Sequence, residues 1–230
     1  MMNNFYVPRV YISGFVHGFE EKARKYNLRK KVYADGETLT KRGVINNNAY
    51  FIRSGVMLLS LTHSSGNTKS IMFFGPDTIF PLGVVPHENL IDYEMILSAI
   101  TDIEAYRFSY PTLRRMCIDD GEFAAQILEE NCRMIGYLFY QEMNNAFLQA
   151  EIRVCDILYL LHSSFKAKNN TINIRQEDLC SFAGTSRAQL ERVLKDLRER
   201  GIIETSRGCI HIPSIERLRE ECSTELRENG

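Results

Sequence analysis

From Gly121 to about Leu161 the sequence holds no proline and, after Gly121 itself, a single glycine. With both helix breakers so scarce, the stretch is expected to be helical. Leu128, Ile135, Phe139, Met143 and Ala146 recur within it at separations of 3, 4 and 7, which places them along one side of a helix. That is more apolar surface than one sheet covers. The stripe Leu128, Ile135, Phe139 and Ala146 therefore predicts a helix–helix seam, and with it a two-fold dimer through residues near 121–150. The alternative is a helix packed solely on the chain's own sheet.

Ahead of this helix the pattern differs. Residues 31–110 carry short runs rich in Val, Ile, Tyr, Phe and Leu: 49–52, 56–61, 70–74, 93–97 and 103–108. Glycines punctuate them, and the segment from Thr62 to Asn67 has the composition of a hairpin tip. Strands so spaced predict a sandwich or small barrel. Pro111 opens a helical stretch, and the polar segment Phe165–Asn170 breaks the apolar periodicity again. The 48 residues from Lys166 to Pro213, followed by a charged tail, fit a small binding module better than a catalytic domain. Ile215, Leu218, Cys222 and Leu226 give that tail helical spacing, for one further amphipathic helix.

Several function classes are disfavoured. Lys and Arg number 28 against 29 Asp and Glu, so any nucleic-acid site must be local rather than a global basic excess. No apolar run approaches a membrane span, and the N-terminus has no signal-peptide pattern, so a cytoplasmic protein without membrane contact is expected. The six cysteines, at 117, 132, 155, 180, 209 and 222, are nowhere closer than 13 residues, which leaves no C-x2-C spacing for zinc or iron–sulfur clusters. They are expected to be reduced thiols, with a redox-sensing pair as the alternative. His17, His63, His87, His162 and His211 contain no H-x-H pair, which disfavours a metal-dependent jelly-roll enzyme. Nucleophile-elbow, dinucleotide and P-loop motifs are absent too. No catalytic residue, metal or cofactor is expected.

The most informative run extends from Gln176 to Lys195. A helix-turn-helix needs a small residue where two helices cross, a glycine able to take positive φ in the turn, and apolar residues that lock the pair. Cys180 is the small residue, Gly184 the turn, and Leu179, Ala183, Leu190 and Val193 the locks. Thr185 or Ser186 can cap the second helix, whose first turn then presents Arg187, Ala188, Gln189 and Arg192 outward, side chains suited to base edges and phosphates. Gly201–Ile212 reads as strand, tight turn at 206–208, strand: a wing with Arg207 at its tip. Between Ile174 and Arg207 seven basic residues face six acidic ones, so DNA binding must come from where the charges point.

With these pieces assembled, the chain resembles the CRP/FNR superfamily of bacterial transcription regulators. The resemblance rests on Tyr33–Leu39 with Gly43, the Arg53-Ser-Gly55 turn, Asn145–Leu148 where the long helix ends, Arg175–Leu179 running into Gly184–Arg187, and Arg192–Lys195. It covers roughly residues 15–213 and is most specific in the C-terminal part. It implies an α+β protein in three parts: an effector-sensing β jelly roll of the cyclic-nucleotide-binding type (1–110), a helical region with a long dimerisation helix (111–150), and a winged helix-turn-helix (151–230). The implied partners are a second copy of the chain, a palindromic DNA operator, RNA polymerase and a small-molecule effector. Among the members it looks most like the halorespiration regulators with aromatic ligands. Arg133, Tyr137 and Tyr140 could line an effector pocket between barrel and long helix; thiol oxidation, or no effector at all, are the alternatives.

Three departures from the family pattern matter. Members that read a G·C pair commonly carry Glu just after the equivalent of Arg187, where this chain has Ala188. Cyclic-nucleotide binders hold ribose with a Glu and phosphate with an Arg; Pro81 and Leu97 stand at those places, with Glu88, Asp92 and Glu94 nearby. The iron–sulfur members have an N-terminal cysteine cluster, whereas the first cysteine here is Cys117.

Overall fold

The computed structural model describes residues 9–41, 44–82, 93–165 and 168–229. It divides into two compact units, Tyr11–Met134 and a second containing Ile135–Gly230.

The first unit contains β1 (Tyr11–Ile12), α1 (Phe19–Lys25), β2 (Lys30–Tyr33), β3 (Asn48–Ser54), β4 (Met57–His63), β5 (Thr68–Phe74), β6 (Thr78–Phe80), β7 (Tyr93–Ala99) and β8 (Ile103–Ser109). Two four-stranded sheets form, ordered β1-β5-β4-β7 and β2-β8-β3-β6. The chain crosses between the two sheets five times, from β1 to β2, β3 to β4, β5 to β6, β6 to β7 and β7 to β8, while β4 and β5 form a hairpin within one sheet. The five apolar runs all appear as strands, and Thr62–Asn67 turns β4 into antiparallel β5, with Gly66 at φ 87°. Strands β1, β2 and β6 escaped sequence reading because β1 and β6 have two and three residues, and β2 is an edge strand with Lys30, Lys31 and Val32 exposed.

The Arg53-Ser-Gly55 turn has a steric cause. Gly55 sits at φ 86°, and a Cβ there would lie 2.1 Å from the carbonyl oxygen of Asp102. One face of this unit closes over an aromatic cluster in which Phe19 stacks on Phe51 at 3.9 Å, joined by Tyr106 and Phe108. Helices α2 (Tyr110–Asp119) and α3 (Gly121–Phe147) follow. Ser109 caps α2 through the amide of Thr112, and Pro111 occupies the first turn, where its missing N–H costs nothing. Phe123 and Ile127 bring the start of α3 into the aromatic cluster.

Helix α3 continues into the second unit, followed by α4 (Ala150–Phe165), β9 (Thr171–Asn173), α5 (Gln176–Ala183), α6 (Arg187–Glu199), β10 (Glu204–Ser206), β11 (Cys209–His211), α7 (Ile215–Glu220) and α8 (Thr224–Asn229). The proline-free stretch therefore forms two helices, with the break after Phe147 at the motif that the family resemblance had marked. Helix α4 is buried on every side from Val154 to Leu161 and forms the core of this unit. The wing is a hairpin with Ser206 opposite Cys209, extended by β9 into a three-stranded sheet. Of the polar break at Phe165–Asn170, Lys166 and Ala167 lie outside the described residues. The tail, expected as one helix, is two: Ser223 turns its amide to the buried carboxylate of Asp156 at 2.8 Å, which interrupts the helical ladder between α7 and α8. Leu218, Cys222 and Leu226 are buried, as their spacing implies.

Candidate nucleic-acid interface

Helix α5 ends on Gly184, in the left-handed region at φ 58°, and its amide donates to the carbonyl of Cys180. This lets the chain reverse into α6 within three residues. Ser186 caps α6: its Oγ accepts from the amide of Gln189 at 3.2 Å, and Gln189 Oε1 accepts from the Ser186 amide at 3.3 Å. That reciprocal pair is a capping box. The hydroxyl of Thr185 also donates to Gln189 Oε1, at 3.1 Å. Thr185, Ser186 and Gln189 are thus brought together by the helix start itself, leaving the amide NH2 of Gln189 for an outside partner. Leu190, Leu194 and Leu197 are buried on the inner face of α6, while Arg187, Ala188, Gln189 and Arg192 are exposed on the outer one.

The outer face divides its charge. Arg187 pairs with Glu191 at 3.3 Å and Lys195 with Glu199 at 3.7 Å. Arg192 meets no carboxylate among the described residues; its Nε lies 3.4 Å from the carbonyl of Ala188. Exposed helix pairs are worth about 0.3–0.5 kcal/mol, against about 1–3 kcal/mol for a bidentate base contact. Arg187 can therefore leave Glu191 for a base edge at small cost. Arg207 stands exposed at the tip of the β10–β11 hairpin.

One further residue escaped sequence reading. Arg153, on the first turn of α4, donates through Nε to the carbonyl of Ala183 at 2.9 Å, through Nη2 to Gly184 at 3.1 Å, and through Nη1 to Leu148 at 2.6 Å. The rigid guanidinium fork caps the orphan carbonyls at the end of α5 and ties them to the end of α3. Its position 30 residues ahead of the turn gives no local signal.

The stripe on α3 faces outward. Leu128, Ile135, Phe139 and Phe147 are 63%, 40%, 69% and 74% exposed, with Met143 and Ala146 on the same open side. The three residues expected to line an effector pocket do not share one environment. Arg133 is exposed, Tyr137 is fully buried and accepts from Gln141, and the Tyr140 hydroxyl donates to Asp156 at 2.6 Å.

In the β unit, Leu97 is fully buried on β7 and Pro81 follows β6; Glu88 and Asp92 lie outside the described residues. Among the described residues no Lys or Arg is buried, and the sequence from Ser70 to Tyr106 contains neither. Buried aromatic groups occupy the interior instead: Tyr33 and Tyr50 meet edge to face at 6.3 Å. Burial pushes the Tyr33 hydroxyl up to about 12, and among the described residues it has no hydrogen-bond partner. On α3, the buried carboxyl of Glu130 accepts from the amide of Ile79 at 3.2 Å, and desolvation raises it to about 8.

A jelly-roll unit followed by a long helix and a capped, winged helix-turn-helix defines a two-part regulator. The profile of the cyclic nucleotide-binding domain family matches residues 30–120, and that of the Crp-like helix-turn-helix domain matches residues 152–221. The chain belongs to the CRP/FNR superfamily of transcription regulators, with a DNA-binding helix-turn-helix. It is 25% identical over 198 residues to the cyclic AMP receptor protein of Thermus thermophilus, covering 84% of this chain and 88% of the relative. Its fold is that of the c-di-GMP responsive global regulator CLP of Xanthomonas campestris, with TM-score 0.71 and 17% identity over 84% of this chain and 98% of that one. CprK complexed with OCPA superposes with TM-score 0.64 and 18% identity, over 93% of this chain and all 100% of that one. Among the described residues no helix is long and apolar enough to cross a membrane.

Proposed function

We propose that the protein is a homodimeric, non-enzymatic regulator that reads a palindromic operator through α6 and acts through RNA polymerase. The observation that carries this reading is the exposed guanidinium of Arg192, bonded through Nε to its own helix and meeting no carboxylate among the described residues, on a face otherwise balanced in charge. Arg187 and Arg192 read bases; Thr185, Ser186 and Arg207 touch phosphates, and the Gln189 NH2 assists. With Ala188 in place of a carboxylate, that position accepts nothing from cytosine N4, so the operator differs there from those of Glu-bearing relatives. Half-site centres lie about one helical turn apart. Selection on randomised duplexes tests this: a palindrome should emerge, and Arg192→Ala should relax one base pair per half-site. Equal loss on every sequence would reduce Arg192 to a phosphate contact.

The dimer assembles through the exposed stripe on α3, which extends about 28 Å from Leu128 to Phe147 at 1.5 Å per residue. Control comes from a small apolar effector in the jelly-roll unit. The buried tyrosines and, among the described residues, the unpaired Tyr33 hydroxyl and the lack of a buried cation favour such a ligand over a phosphate, which would lose hydration and find no counter-charge there. Calorimetric titration with millimolar cAMP and cGMP should show no saturable heat. The thiol alternative is weaker, since burial pushes Cys117, Cys155, Cys180 and Cys222 upward, away from the reactive thiolate.

A further inference from the structure

The tail beyond the wing takes no part in the interface as described, yet it is tied at both ends. Asp156 of α4 is almost fully buried; its Oδ2 accepts from the Tyr140 hydroxyl at 2.6 Å and from Asn144 Nδ2 at 3.2 Å, both on α3. Its Oδ1 accepts from the amide of Ser223, at the α7–α8 corner, at 2.8 Å. From the same tail, Arg217 donates through Nη2 to the carbonyl of Arg200 at 2.8 Å and through Nη1 to that of Gly201 at 3.1 Å. These carbonyls close the C-terminal end of α6, where orphan acceptors and the helix dipole favour a cation. Arg200 also pairs with Glu221 of the tail.

We propose that the α7–α8 tail is a strut that fixes the tilt of the recognition helix against the C-terminal end of α3, with Asp156 and Arg217 as its positioning residues. It rests on the DNA-reading function proposed for α6. Arg153 holds the turn before α6 and Arg217 holds its far end, so the helix is pinned at both ends. The leverage is large: α6 is about 20 Å long, and a pivot of about 5° at one end moves the other by nearly 2 Å. That displacement breaks a bidentate hydrogen bond. A shift along α3 therefore reaches the base-reading face through Tyr140, Asp156, Ser223 and Arg217, all within one compact unit.

Tyr140 and Arg217 share no hydrogen-bond partner, so effects that are merely local should multiply. The test is a double-mutant cycle with Tyr140→Phe and Arg217→Ala, using a duplex selected by the wild-type protein and a scrambled duplex of equal length. Each single variant should weaken the selected duplex about 3- to 10-fold and leave the scrambled one nearly unchanged. The double variant should lose no more than the weaker-binding single, and Arg217→Lys, which keeps the charge but offers one donor nitrogen in place of two, should recover part of the loss. Multiplied losses, equal losses on both duplexes, or unchanged affinity in either single variant would overturn the strut. Thermal unfolding checks that each variant is folded; if Tyr140→Phe is not, Asn144→Ala probes the same carboxylate. A wild-type protein that selects no sequence would refute the DNA-reading proposal and the strut with it, an outcome distinct from an additive cycle on a selected duplex.

Discussion

Helices α3 and α4 follow one another and are both rich in apolar residues, yet they use them in opposite ways. Helix α4 buries Val154 through Leu161 on all sides, whereas α3 leaves Ile135 40% and Phe139 69% exposed. The apolar surface of α4 is satisfied within its own chain; that of α3 is not, and each such side chain covered gains about 1.5–3 kcal/mol. Each helix also buries a carboxyl group. Asp156 has three donors, two from side chains of α3 and one from the tail backbone. Glu130 has, among the described residues, a single donor, the amide of Ile79. Burial raises both, but the bonds from Tyr140 and Ser223 counteract it at Asp156, while Glu130 reaches about 8. Burial is the larger influence at both, and Asp156 has more donors than Glu130 to oppose it.

The largest expected effect lies on the open stripe. Ile135→Asp places a charge in the proposed α3 seam and should convert the proposed dimer wholly to monomer, as sedimentation would report. An unchanged mass would mean that α3 is as self-contained as α4. In α4, Leu158→Ala should cost about 2–5 kcal/mol in denaturant unfolding, since Leu158 is fully buried in a packed helix. A loss under 1 kcal/mol would show that the α4 core relaxes around the cavity.

Glu130 sharpens the contrast between the carboxyl groups. Its folded value of about 8 stands above the ordinary 4.5, so below 4.5 both states are protonated and burial carries no ionic penalty. As pH rises from 4.5 to 8 the unfolded chain ionises first, and stability is lost progressively across that window. Glu130→Gln should remove this slope and, at pH 8, raise stability by on the order of 4 kcal/mol. Parallel pH profiles for wild type and variant would show that Glu130 is already ionised in the folded protein. The smallest effect belongs to Phe139→Ala in the monomeric Ile135→Asp background. There it should change stability by less than about 0.5 kcal/mol, because the ring is exposed when no partner covers it. A larger loss would place Phe139 within the chain's own core.

Sequence by itself determined what depends on near neighbours. The five main strands, the long helix, the Gly184 turn, the Ser186 cap and the wing each announce themselves within a few residues, because hydrophobic period, capping and positive φ are local properties. The outward α3 stripe was legible for the same reason: a 3.6-residue period identifies one face, and its excess of apolar groups implied a cover from outside. Tertiary structure alone decided the rest. Arg153 reaches a turn 30 residues away, and Asp156 is met by an amide 67 residues on, which also splits the tail into two helices. Tyr140, readable only as an aromatic at helical spacing, became a donor to that carboxylate. A buried polar group takes whichever partners folding brings to it, and no window of sequence contains them.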